Sequence, residues 1–168
     1  MMKNKKHILF ITYAAMIAAL YTALTMLASV LGLSSNVIQV RFSEALTVLP
    51  VLTPAAIPGL AVGCLISNII SGGIPADIVF GTLATLVGAV VTYCLRKKSP
   101  YLAPLPPIIA NILTVPFVLK YGYGYEGSVF YFMLTVGIGE VISCGVLGLI
   151  LLFALKRKKI FNVTNNKK

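Results

Sequence analysis

Charged residues are scarce in this sequence, and acidic residues are the scarcest of them. Only 11% of its 168 residues are charged, four in all are Asp or Glu, and the mean hydropathy is +0.95. A soluble domain of ordinary composition carries about 25% charged residues. The composition therefore excludes a soluble globular protein and indicates a protein of the lipid bilayer.

Residue types that build metal sites and catalytic centres are also few. The chain has one histidine, His7, and three cysteines that lie far apart without a CxxC pair. This spacing indicates reduced cysteines that serve packing. A glycine-rich phosphate loop ending in Gly-Lys-Ser or Gly-Lys-Thr is missing, so the chain cannot drive transport by its own ATP hydrolysis. We therefore expect no enzyme activity, no metal and no cofactor in this chain.

Basic residues give a net charge of +10, but their placement argues against a nucleic acid as partner. They cluster at residues 3–6, 96–98 and 156–159, each at the end of an apolar run. Such clusters are typical of the cytoplasmic flanks of membrane helices. We therefore expect both chain termini on the cytoplasmic side.

Apolar runs long enough to cross a bilayer cover most of the chain. One of them, residues 45–76, contains Pro50, Pro54 and Pro58. Proline breaks a helix interior, so this run is divided in two. Six spans also keep both later basic clusters inside, whereas five would place them outside. The predicted spans are approximately residues 8–31, 41–52, 55–70, 77–95, 101–119 and 128–155.

The sequence thus predicts an all-α integral membrane protein whose residues 1–168 form a single domain of six transmembrane helices. Charges inside its apolar runs are the strongest functional candidates, because inserting one near a helix centre costs about 2.5–3.5 kcal/mol. Glu140 lies deep in the last span, and Glu44 lies in the first turn of the second span, three residues after Arg41. Arg41 and Glu44 can also satisfy each other as a structural ion pair.

Other polar residues in or beside the spans are candidates of the same kind. Asp77 follows Pro75 at the start of a span, where it can cap the helix or bind a ligand. Asn68 and Asn111 lie inside apolar runs and need partners there, either a ligand or a neighbouring helix. The loop that carries Tyr125 is either an interfacial aromatic belt or a lid.

Small residues in the first span form three overlapping pairs with helical spacing, Ala14/Ala18, Ala15/Ala19 and Ala19/Ala23. A smooth face of this kind lets another helix approach closely. Packing within the chain and docking of a partner are both compatible with it.

Three segments resemble, in order and spacing, the signature blocks of the queuosine-precursor transporter (QueT) family. They are VIQVRFSEALTVLP, IPGLAVGCLISNII and ADIVFGTLATLVGA, and the resemblance covers roughly residues 8–157. Members of this family are substrate-binding S components of energy-coupling-factor (ECF) transporters, which are ABC importers. The resemblance implies an S-component-like bundle in the bacterial plasma membrane. It would capture a 7-deazaguanine (preQ0, preQ1 or queuine) on the outer face.

The resemblance also implies partners: a transmembrane T component and two cytoplasmic ATPase subunits, which would use the ATP and Mg. It implies that the alanine face of Ala14, Ala15, Ala18 and Ala19 docks on the T component, but it does not say which alanine pair makes the contact.

The ligand chemistry agrees with the polar residues independently. A guanine-like edge offers adjacent N–H donors that a carboxylate accepts in a bidentate geometry. An aminomethyl group adds a cation, for which a second carboxylate is apt, and Phe42 and the loop tyrosines can stack on the ring. The predicted substrate-binding residues are Arg41, Phe42, Glu44, Asn68, Asp77, Asn111, Tyr125 and Glu140.

Two other functions stay open from the sequence. One is a stand-alone small-solute transporter or channel that works as an oligomer, although the halves show no inverted repeat of the kind common in secondary transporters. The other is a structural membrane protein whose buried charges only hold its helices together.

Overall fold

The computed structural model describes residues 2–33 and 39–158, and every regular element in them is helical. Lys159 of the last basic cluster lies outside the described residues. The prediction of an all-α bundle of six helices is confirmed. The six segments are α1 (Met2–Val30), a 3₁₀ helix (Phe42–Val51), α2 (Ala56–Ile70), α3 (Pro75–Leu95), a segment built on α4 (Leu105–Phe117), and a last segment containing α5 (Val129–Glu140) and α6 (Gly148–Arg157).

Four of the segments are long and apolar enough to cross a membrane: Asn4–Val30, Pro75–Leu95, Pro100–Gly122 and Val129–Arg157. The other two are shorter. The 15 residues of α2 span about 22 Å at ~1.5 Å per residue, and the ten of the 3₁₀ helix span about 20 Å at ~2.0 Å per residue. These two elements thus fall short of a ~30 Å hydrocarbon layer.

The 3₁₀ helix is the buried centre of the bundle. All of its residues from Ser43 to Pro50 are buried, and it packs against α1, α2, α3 and α6. Two local features favour the tighter helix: Pro50 has no N–H to donate, and the Thr47 hydroxyl donates to the Glu44 carbonyl at 2.6 Å. Irregular backbone at membrane depth is tolerated where protein covers it. The consequence is that Glu44 lies inside the bundle.

Close packing of α1 on α2 uses one of the alanine pairs. A Cβ atom on Gly59 would lie 2.7 Å from the Ala14 carbonyl oxygen, and one on Gly63 would lie 2.9 Å from that of Ala18. Glycines opposite alanines let two helix backbones approach closely. The Ala14/Ala18 face is therefore occupied within the chain, whereas Ala15 and Ala19 are exposed.

The start of α3 differs from the prediction. The helix begins at Pro75, with Ile74 at the N-cap, so Asp77 lies in the first turn and caps nothing. Proline is favoured at the first helical position because its fixed φ suits the helix and its missing N–H would have no helical partner. The carboxylate of Asp77 is therefore available to other groups, and of the two roles left open for it the capping role is wrong.

Candidate functional site

Two buried carboxylates, on different helices, line one internal cavity. Glu44 comes from the 3₁₀ helix and is 2% exposed, and Glu140 ends α5 and is 8% exposed. The cavity, called here the inner cavity, has a volume of about 20 Å³, room for about one water molecule or a group of similar size. Its polar and charged lining residues are Gln39, Arg41, Glu44, Cys64, Asp77, Thr85, Asn111 and Glu140.

Each of the two carboxylates has one oxygen bonded and one oxygen free. The Tyr21 hydroxyl donates to Glu44 Oε1 at 2.6 Å, and the Asn111 amide donates to Glu140 Oε1 at 2.8 Å. The Oε2 atoms of both are buried and accept no hydrogen bond from any residue in the described part of the chain. Buried polar atoms in proteins are normally hydrogen-bonded. These two oxygens therefore stand out as polar atoms that the described part of the chain leaves without a partner.

Arg41 reaches the inner cavity from an extended segment that precedes the 3₁₀ helix. Its backbone has φ −110° and ψ 109°, a conformation in which alternate residues lie on one side, and Gln39 lines the cavity with it. The Arg41 N–H donates to the Ser143 hydroxyl at 3.2 Å. Arg41 interacts with Glu44 electrostatically, but no hydrogen bond joins the two side chains, since Glu44 Oε1 bonds Tyr21 and Oε2 is free.

The end of α5 is shaped to receive this extended segment. A Cβ atom on Gly139 would collide with the Gln39 carbonyl oxygen, so only glycine permits the approach. Glu140 follows, and the helix continues as a π-helical turn over Val141–Leu147. Such turns are frequent at functional sites. Gly139 therefore holds residues 39–41 against the helix that carries Glu140.

Replacing Gly139 with alanine is expected to displace residues 39–41. Overpacking of this kind costs about 1–3 kcal/mol, which lowers the melting temperature by a few degrees in a chain of this size. Gly145 in the same segment is the matched control, because a Cβ there would meet its nearest atom only at 3.8 Å. Thermal unfolding of both variants in detergent tests this: equal melting temperatures would contradict the tight contact.

A second cavity adjoins the inner one and is called here the vestibule. Its volume is about 210 Å³. Gln39, Arg41, Asp77 and Val115 line both cavities, so these residues form the neck between them. Further residues of the vestibule are Thr25, Ser29, Asn68, Ser71, Gly73, Leu119, Tyr123 and Tyr125.

The loop tyrosines tie the vestibule to α3. The Tyr123 hydroxyl donates to Asp77 Oδ2 at 3.0 Å, and the Asn68 amide donates to the Asp77 carbonyl at 3.4 Å. Burial and the Asp77 carboxylate raise the pKa of Tyr123, so its hydroxyl keeps the proton it donates. The rings of Tyr123 and Tyr125 stack at 5.7 Å, joined by Gly124 with φ +70°, a value that glycine adopts without strain.

The structure brings together seven of the eight residues proposed from the sequence. Arg41, Glu44, Asp77, Asn111 and Glu140 line the inner cavity, and Asn68 and Tyr125 line the vestibule. Phe42 is half-buried and lines neither of these two cavities. The role of all eight residues in ligand binding stays a prediction.

Tyr21 and Gln39 are the most informative of the polar site residues that the sequence reasoning missed. Tyr21 carries the hydroxyl bonded to Glu44, and a phenol in the middle of an apolar span needs such a partner. Gln39 lines both cavities. It lies two residues before Arg41, and this spacing places both residues on the same side of an extended segment. Both signals are present in the sequence, but neither residue is charged.

The fold and this site define a class: a multi-helix membrane protein with a polar, charged cavity enclosed by apolar helices. The family model described as the QueT transporter matches residues 11–157. The chain belongs to this family and is a membrane transport protein, which confirms the resemblance seen in the sequence. Neither the curated proteins nor the solved structures include a match to the chain.

Proposed function

We propose that this chain is the substrate-capturing S component of an ECF importer and that it binds a 7-deazaguanine precursor of queuosine. Membership of the QueT family supports the transport of a queuosine precursor. The observation that carries the binding site is the pair of buried carboxylates, each with one free oxygen, at the end of a vestibule. Binding takes place from the outer face of the bacterial plasma membrane, and both termini are cytoplasmic.

The ligand chemistry fits the cavity lining. A 7-deazaguanine carries several N–H donors on a flat ring, and carboxylates accept such donors in strong charge-assisted bonds. Arg41 lies at the neck of the two cavities and orients the ring or the Glu44 carboxylate. The stacked Tyr123 and Tyr125 provide aromatic surface at the outer end, which suits a planar base.

Coupling to ATP hydrolysis is assigned to partner subunits. The exposed Ala15 and Ala19 form the docking face for the T component, because Ala14 and Ala18 already pack on α2. Two cytoplasmic ATPases supply the ATP-driven step. Uptake should therefore require all partners, and uptake by this chain expressed alone would contradict the coupling.

Thermal stabilisation of the purified chain tests the substrate class. A ligand at about 100 times its Kd stabilises the folded state by ~2.7 kcal/mol, and we expect preQ0, preQ1 or queuine to raise the melting temperature by several degrees. Guanine and unrelated vitamins are the controls. Stabilisation by a vitamin, with no effect of any 7-deazaguanine, would overturn the proposal.

A further inference from the structure

We infer that Glu44 and Glu140 form a cation-exchange site, in which a protonated amine of the ligand binds between their free oxygens and displaces one proton. The inference rests on the proposed function and selects the amine-bearing members of that substrate class. In preQ1 the amine is carried on a methylene group attached to the ring, so one end of the ligand carries a positive charge and the rest is neutral.

The charges that line the two cavities do not balance. Three carboxyl groups, those of Glu44, Asp77 and Glu140, face the single guanidinium of Arg41. No other Lys or Arg from residues 2–33 and 39–158 lines either cavity. Arg41 offsets one of the three negative charges. Two negative charges would remain if every carboxyl group were ionised.

The imbalance is concentrated on the two glutamates. Asp77 is half-buried at the neck, and its Oδ2 accepts the Tyr123 hydroxyl. Glu44 and Glu140 are deeper, interact with each other electrostatically, and keep one unbonded oxygen each. Glu44 and Glu140 share the single positive charge of Arg41, and two interacting buried carboxyl groups with one counter-ion strongly disfavour the state in which both are ionised. The empty pair therefore holds a proton.

The groups that face the pair from the surrounding elements do not supply the missing positive charge. Besides Arg41, they are either neutral or acidic: Tyr21 on α1, Cys64 on α2, Asp77 and Thr85 on α3, Asn111 on α4 and Cys144 in the last segment. A cation from outside the chain is the remaining way to neutralise the glutamates without protons.

The sizes of the two cavities indicate which end of such a ligand binds in which cavity. An ammonium group is about as large as a water molecule and fits the inner cavity of about 20 Å³. The ring then occupies the vestibule of about 210 Å³. An ammonium group has only donors, which matches two free acceptor oxygens. Among the described residues no group of three or more His, Cys, Asp or Glu is arranged for a metal ion, so an organic cation fits better.

Binding of preQ1, which carries an aminomethyl group, can be compared directly with that of preQ0, which carries a neutral nitrile. Near neutral pH we expect preQ1 to bind the full-length purified chain at least about tenfold tighter, a difference of ~1.4 kcal/mol. Calorimetry in buffers of different ionisation enthalpy should detect about one proton released per preQ1 and none per preQ0. Because a proton leaves, the affinity for preQ1 should rise by up to about tenfold per pH unit between about pH 6 and about pH 8.

Variants of the two glutamates test the exchange site in a second way. Glu140→Gln should reduce the preference for preQ1 over preQ0 to about twofold or less and abolish proton release. If Glu140→Gln does not fold, Glu44→Gln is used in its place and should have the same two effects. Glu126→Gln changes an exposed loop acid and should leave the preference intact. Equal binding of preQ0 and preQ1 without proton release would overturn the exchange site and leave the proposed function standing. Failure of both to bind would overturn both.

Discussion

Replacing Glu44 with glutamine is expected to weaken the binding of a 7-deazaguanine precursor by at least tenfold. Glutamine keeps the size of the side chain but removes the negative charge. Hydrogen bonds to a charged group contribute about 1.5–3 kcal/mol, and ~1.4 kcal/mol corresponds to a factor of ten in Kd. Titration calorimetry of the purified variant measures the change.

The stability of the same variant separates a binding role from a structural one. The amide oxygen of glutamine can still accept the Tyr21 hydroxyl that bonds Glu44 Oε1, and one of the two interacting buried carboxyl groups is gone. A site that exists for a ligand should then keep or gain thermal stability when empty. If the charges serve only to hold helices together, the variant should have a lower melting temperature instead. Glu126→Gln, on an exposed loop residue, is the control for both measurements. A tenfold loss in that control would show that the effect is not specific to the site.

Replacing Ala19 with tryptophan is expected to abolish co-purification with the T component while leaving ligand binding unchanged. Ala19 is exposed on α1 together with Ala15, and a large ring there would keep a second helix from approaching. Pull-down of the complex and calorimetry of the isolated variant measure the two effects separately. Ala15→Trp should behave in the same way.

Two further variants make this result interpretable. Ala18 is 7% exposed, and its carbonyl faces Gly63 of α2, so Ala18→Trp should damage the fold itself and lower the melting temperature. Val87 is 55% exposed on α3, which packs on α2 and α4 away from α1, so Val87→Trp should leave the complex intact. Normal complexes in both Ala15→Trp and Ala19→Trp would refute the docking face.

Most of the architecture could be predicted from the sequence because the bilayer constrains it strongly. Long uncharged runs must be helical to satisfy their backbone, and prolines divided the run of residues 45–76. Hydropathy alone does not distinguish a helix that faces lipid from one that is covered by protein. The 3₁₀ form of Phe42–Val51 and the burial of its residues 43–50 depend on how four other segments pack around it.

The charged part of the site was also predictable, because burying Glu44 or Glu140 is too costly without a purpose. Tyr21 and Gln39 were not predicted as site residues because neutral polar groups are tolerated in apolar runs. Periodicity identified the alanine pairs of α1 and could not choose among them. The choice follows from Gly59 and Gly63, which lie over 40 residues further along the chain and meet α1 only in the fold.

A structure of the chain with preQ1 bound tests the central claim most directly. We predict that the ammonium group lies within about 3 Å, a hydrogen-bond distance, of Oε2 of both Glu44 and Glu140, with the ring in the vestibule. A larger apolar groove of about 470 Å³, lined by Phe80, Phe117 and Tyr121 among others, offers a competing site. A ligand bound in that groove, with both Oε2 atoms still without a partner, would contradict the account.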